Sequence, residues 1–162
     1  MSILFSASEL LNIAIEIERR DLTFYESLAR SSGETRVCSS CNYLAGMERE
    51  HIRLFQGMLE TIGEYSLPED IYTEEYGLYL RSLIDSVVFT EDRVRNVTKK
   101  GIGDAEAIQI ALSAEKDSIL FYSEMRHLVP ERERKLVDRI IDEERSHLRQ
   151  LSGLKKELAK GG

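Results

Sequence analysis

Two Glu-x-x-His pairs, Glu48 with His51 and Glu144 with His147, each follow another glutamate, Glu18 and Glu115, by thirty and twenty-nine residues. On an α-helix, residues three apart share a face about one turn apart, so the carboxylate and the imidazole of each pair can close on one ion. The flanks repeat as well. In the first half Ile15-Glu16-Ile17-Glu18 runs on to Phe24-Tyr25 and then to Met47-Glu48-Arg49-Glu50-His51; in the second, Leu112-Ser113-Ala114-Glu115 runs on to Phe121-Tyr122 and then to Glu143-Glu144-Arg145-Ser146-His147. Each lone glutamate precedes a tyrosine by seven residues, nearly two helical turns, which returns Tyr25 to the face of Glu18 and Tyr122 to the face of Glu115. A duplicated unit of this length is an αα-hairpin with a short connection, and two hairpins make a four-helix bundle. The six repeated side chains include four carboxylates, whose charge balances two divalent ions and so permits the cluster to be buried.

Taken together, these segments resemble the ferritin-like superfamily and, within it, the rubrerythrin-like di-iron proteins. The resemblance covers nearly the whole chain, with both Glu-to-Phe-Tyr segments and both Glu-x-x-His segments in the family's order. That family's bundle takes one glutamate from each of two helices and one Glu-x-x-His from each of the other two. Carried over by position, the resemblance implies that Glu48 and Glu144 bridge two metals, that Glu18 and Glu115 bind terminally, and that His51 and His147 each supply one nitrogen. It implies two iron ions; oxygen and nitrogen donors suit manganese equally, and ligand type alone does not choose between them.

Composition agrees with an all-α chain. The 162 residues fit one domain, spanning 1–162, with a substantial core, and only two prolines and no tryptophan interrupt a sequence rich in leucine, isoleucine, glutamate and arginine. A formal net charge of −7 argues against general nucleic-acid binding, since nothing would offset phosphate repulsion. The longest apolar run falls well short of a bilayer span, and the first residues lack a basic segment followed by a long apolar one. The expectation is a soluble, cytoplasmic protein with no membrane partner.

Ser6 and Glu9 have capping-box spacing, which starts a first helix over about 7–29 that ends at Ser31-Ser32-Gly33. A second runs over about 34–62 and stops at Gly63. Residues 64–73, with Pro68, read as a loop, and 74–89 as an additional helix. This segment serves as the long crossover that ferritin-like topology requires, because the second and third bundle helices must run parallel. After Gly101-Ile102-Gly103, Asp104 is an N-cap for a helix ending near Leu128. Pro130 near N1, followed by Glu131 and Glu133, opens a last helix to about Lys160, and Gly161-Gly162 reads as a frayed tail.

Several residues carry an ordinary reading beside a functional one. Glu16, Glu50 and Glu143 fit a solvated helix face, whereas Glu18 and Glu115 lie among Ile, Leu, Ala and Phe positions on the side expected to be buried. Tyr25 and Tyr122 read as core aromatics with satisfied hydroxyls or, functionally, as groups that hydrogen-bond ligand carboxylates or donate electrons. His127 has no acidic partner at motif spacing and reads as a surface or satisfied histidine. Cys38 and Cys41 lie near the start of the second helix, where the dipole lowers a thiol pKa; the pair reads as incidental or structural in a reducing cytosol, or as a redox-active entry point for electrons.

The chain departs from rubrerythrins at three places. The family's extra glutamate ligand, three residues after the third-helix glutamate, is Ser118 here, with Asp21 at the equivalent offset on the other hairpin as a substitute. A rubredoxin module needs four cysteines, and this chain has two, so electrons must come from an external donor protein. Met47 precedes Glu48 where Glu143 precedes Glu144, so any carboxylate that supports a histidine does so on one side only. The function implied is an oxidoreductase that reduces hydrogen peroxide or dioxygen to water. The alternatives are ferroxidase or iron storage, and a non-catalytic bundle whose interior acids pair with arginines. A homo-oligomer, dimer or larger, is expected, with Leu78, Leu83 and Val87 contributing to its contacts or simply covering the bundle.

Overall fold

The computed structural model describes residues 5–63, 65–68, 70, 72–100 and 102–161, with backbone alone for 88–100. Among the described residues five helices follow one another: α1 (Ala7–Ser31), α2 (Thr35–Ile62), α3 (Glu74–Lys100), α4 (Asp104–Met125) and α5 (Glu131–Lys160). The capping box at the start of α1 forms as expected, with Glu9 N–H donating to Ser6 Oγ at 3.1 Å and Ser6 N–H donating to Glu9 Oε2 at 2.7 Å. Gly63 ends α2 at φ 57°, a backbone conformation that an L side chain resists. Three starts differ from expectation by one position: Thr35 opens α2 behind an N-cap at Glu34, Asp104 is the first helical residue behind an N-cap at Gly103, and Pro130 is itself the cap of α5. The Asp104 carboxylate instead accepts from Ser32 Oγ at 2.8 Å, tying the α1–α2 turn to the start of α4. The fourth helix also ends earlier than Leu128, at Met125.

The two hairpins, α1–α2 and α4–α5, pack against each other in opposite senses. Tyr25, C-terminal to Glu18 on α1, bonds Glu115 on α4, while Tyr122, C-terminal to Glu115, bonds Glu18. Only antiparallel α1 and α4 allow that exchange. Because α2 reverses α1, α2 and α4 run parallel, and the chain must return the length of the bundle between them. An α3 ending near residue 89 would rise about 24 Å, whereas the 28 residues of α2 rise about 42 Å. With 27 residues α3 runs on to Lys100 and makes good the difference, a length fixed by bundle height and not by local apolar periodicity. Of the expected 64–73 loop, residues 64, 69 and 71 lie outside those described; Tyr72 N–H donates to Pro68 O at 3.0 Å.

Val87 on α3 is buried in the core and Leu83 is half-buried, while Leu78 is 50% exposed. The apolar interior divides into two clusters. One gathers Leu10, Leu11, Phe55, Met58, Phe121, Met125 and Ile140 at the end where α1 begins. The other gathers Phe24, Leu28, Val37, Leu44, Ile108, Leu151 and Leu154 at the opposite end. Between the two, at mid-height, lies a belt of buried polar side chains.

Candidate metal centre

All six motif residues meet in this belt. Glu18, Glu48, His51, Glu115, Glu144 and His147 are each at most 1% exposed. Burying so many ionisable groups in an apolar interior is costly unless they are paired or bound to cations. They fall into two groups of four: Glu18, Glu48, His51 and Glu144, and Glu48, Glu115, Glu144 and His147. Within each group one donor atom per residue lies within 4.8 Å of the others, and Glu48 and Glu144 belong to both.

The orientation of individual oxygens sharpens this arrangement. His51 Nδ1 lies 3.3 Å from Glu48 Oε2 and 2.9 Å from Glu144 Oε1. His147 Nδ1 lies 3.3 Å from Glu48 Oε1 and 3.3 Å from Glu144 Oε2. Each of the two carboxylates therefore turns one oxygen to each histidine. The other two glutamates divide their oxygens differently. Tyr122 O–H donates to Glu18 Oε1 and Tyr25 O–H to Glu115 Oε1, leaving Glu18 Oε2 and Glu115 Oε2 buried without a hydrogen bond. Both oxygens of Glu48, Glu144 Oε1 and both Nδ1 atoms are likewise without a hydrogen bond. Buried polar atoms almost always find partners, so this many orphaned atoms around one point marks a place where something binds.

Electrostatics points the same way. Burial, followed by the negative charges of neighbouring glutamates, pushes Glu48 and Glu115 well above the usual carboxylate range and raises Glu144 too. Burial acts upward on Glu18 as well, but its close contacts with Glu48 and His51 outweigh it and bring that carboxyl down to about 2. Burial alone would lower both histidines; the surrounding carboxylates overcome it and raise them. Without a cation the belt must collect protons to offset four carboxylates, and two divalent ions would supply the same four charges. The donor set, oxygen and imidazole nitrogen, is one that iron and manganese both accept.

The tyrosines reach across the bundle: each bonds the glutamate of the opposite half, not the one seven residues before it. Burial, then the charge of that glutamate, raises both hydroxyls well above 10, so they stay protonated and keep donating. Asp21 is buried but belongs to neither group among the described residues; its Oδ1 accepts from Arg20 Nε at 2.8 Å and lies 2.7 Å from Arg20 Nη2. Ser118 is buried and bonds back to Ala114 O at 3.0 Å. His127 is exposed, as its ordinary reading expected.

Glu143 is a correction. Its side chain is only 23% exposed, and Oε2 sits 2.8 Å from His51 Nε2, across the bundle. Arg139 Nε holds the other oxygen at 3.0 Å. The sequence signal was its place directly before Glu144, but the histidine it meets is on the other hairpin. Glu16 and Glu50 do lie on solvated faces, paired with Arg19 and Arg53. The thiol expectation also changes: Cys41 is buried, and that burial, then the nearby Cys38, pushes its thiol up to about 12, outweighing any help from the helix start. Both cysteines are free, and Cys38 Sγ donates to Ser32 O at 3.3 Å.

A bundle of two αα-hairpins and a crossover, with Glu and Glu-x-x-His donors converging at mid-height, defines the ferritin-like di-iron carboxylate class. The Rubrerythrin family model matches residues 9–155, and the chain belongs to that family. A solved structure of a candidate ferritin-like diiron-carboxylate protein from Thermotoga maritima is similar over 94% of this chain and 96% of its own, with 28% identity and a TM-score of 0.69. A comparison with the curated proteins finds no match. No helix among the described residues is long and apolar enough to cross a membrane.

Proposed function

We propose that this di-iron carboxylate protein reduces hydrogen peroxide to water, drawing its electrons from a separate donor protein. The observation that carries this reading is the set of orphaned oxygens in a closed belt. It supports these six residues as those that would hold two ions, with Glu48 and Glu144 facing both positions, Glu18 and Glu115 offering Oε2, and His51 and His147 offering Nδ1. Two ferrous ions held there would supply the two electrons that cleavage of the peroxide O–O bond consumes, with two protons taken up from solvent to complete two waters. The tyrosines hold the terminal glutamates by Oε1, fixing which oxygen faces inward. The apolar clusters above and below exclude bulk water, which strengthens every charge interaction in the belt. Near-complete burial favours retention of both ions over turnover of iron passing through, which is why peroxide reduction is preferred to ferroxidase or storage chemistry. Manganese with the same donors, dioxygen as oxidant and a homo-oligomeric state belong to the wider reading.

Metal-free protein is loaded with two ferrous ions per chain under anaerobic conditions and mixed with peroxide or with dioxygen. Faster oxidation by peroxide, with no turnover of added iron beyond two per chain, is expected. A preference for dioxygen with continued iron oxidation would replace the proposal with ferroxidase chemistry.

A further inference from the structure

The two halves of the belt present the same first contacts but different support. His51 turns Nδ1 inward and Nε2 to Glu143 Oε2 at 2.8 Å. Glu143 in turn is held by Arg139, whose Nε donates to its other oxygen at 3.0 Å. His51 thus turns Nε2 to an acceptor outside the belt and leaves Nδ1 as the nitrogen that faces the belt carboxylates. On the other side His147 has both ring nitrogens buried without a hydrogen-bond partner. The residue in the place equivalent to Glu143, directly before Glu48 on α2, is Met47, whose thioether accepts hydrogen bonds only weakly. Among the described residues no group accepts from His147 Nε2, so its ring has no counterpart to the Glu143 contact.

We infer that the two metal positions are unequal, with Glu143 the positioning residue that makes the His51 position bind its ion first and more tightly. The inference rests on the di-iron reading above. A carboxylate that accepts from the far nitrogen of a ligating histidine aligns the ring and raises its basicity, and removing such a partner costs 10–100-fold in metal affinity. The charge on the two sides does not explain a difference, because each group of four holds three carboxylates and one histidine. The terminal glutamates are each held by one tyrosine. Support of the imidazole differs between the two positions.

Anaerobic calorimetric titration of the metal-free protein with ferrous ion separates the possibilities. Wild type should bind two ions in two resolved steps. Glu143→Ala should weaken the tighter step about 10–100-fold and leave the weaker one in place, with Glu143→Gln, which keeps an acceptor but not the charge, falling between. Met47→Glu, which offers His147 an acceptor, should tighten the weaker step. Damage to the fold would weaken both steps of a variant together and lower its melting temperature without metal. Two equal sites in wild type, or equal loss from both steps in Glu143→Ala, would overturn the inequality while leaving the di-iron reading intact. Absence of stoichiometric iron would overturn both.

Discussion

The hairpins α1–α2 and α4–α5 are two versions of one device, and they differ just where the repeat lapses. Both supply a lone glutamate, a tyrosine that crosses to the opposite glutamate, and a Glu-x-x-His pair. At the positions around those residues the copies part. Glu143 stands against Met47, the buried acid Asp21 against Ser118, and only the first hairpin carries a pair of cysteines. Glu48 and Glu144 each belong to both groups of four, so a change at either position on either hairpin disturbs both groups. Residues that touch only one ligand are free to diverge, and through them the halves acquire separate properties.

The largest break in the equivalence of ligands should come from the shared carboxylates. Glu48→Ala or Glu144→Ala removes a donor from both groups of four and should abolish stoichiometric binding of either ion. Glu18→Ala or Glu115→Ala removes a donor from one group and should leave about one ion per chain. Metal analysis after gel filtration reads the difference; equal loss in all four variants would show that the sites do not share residues.

Asp21 and Ser118 should separate the halves by pH. Burial, only partly opposed by Arg20 and reinforced by the charges of Glu115 and Glu18, raises Asp21 from 3.8 to about 7. The folded protein thus holds this proton more tightly than the unfolded chain does. The resulting stabilisation is whole below about pH 3.8 and is lost as pH rises through 7. Relative to Asp21→Asn, metal-free wild type should lose on the order of 4 kcal/mol between pH 4 and pH 7, read from denaturant unfolding at each pH. Ser118→Ala should show no such trend.

The tyrosines should behave alike. Tyr25→Phe and Tyr122→Phe each leave one buried carboxylate oxygen unpaired and should cost about 1–3 kcal/mol of stability in the metal-free protein. A marked inequality between them would extend the asymmetry to the terminal glutamates. The smallest effect concerns the cysteines, which divide the first hairpin internally. Iodoacetamide at pH 8 should label half-buried Cys38 and spare Cys41, as peptide mass mapping would show, because Cys41 is buried and its thiol lies near 12. Equal labelling would mean that α2 opens at its start.

What was legible in the sequence were contacts made along one helix. The Glu-x-x-His spacing, the seven-residue step to tyrosine and the duplicated order placed all six belt residues and the hairpins, because each depends on helical periodicity alone. Contacts across helices were not legible in the same way. That Tyr25 serves Glu115, and that Glu143 serves His51, follows from the antiparallel pairing of the hairpins, which no local spacing encodes. Glu143 has the charge and neighbours of a surface residue, and its partner lies 92 positions away. The length of α3 was hidden for a similar reason: residues 90–100 are polar or charged but for Val94 and Val97, and their helix is set by the distance the chain must return.

Whether two ions lie between Glu48 and Glu144 is tested directly by crystals of the protein loaded anaerobically with ferrous iron and measured at the iron absorption edge. Two anomalous peaks are expected, one beside His51 Nδ1 and one beside His147 Nδ1, with both carboxylates spanning them. A single peak shared by the two histidines, or no peak within the belt, would contradict the di-iron reading.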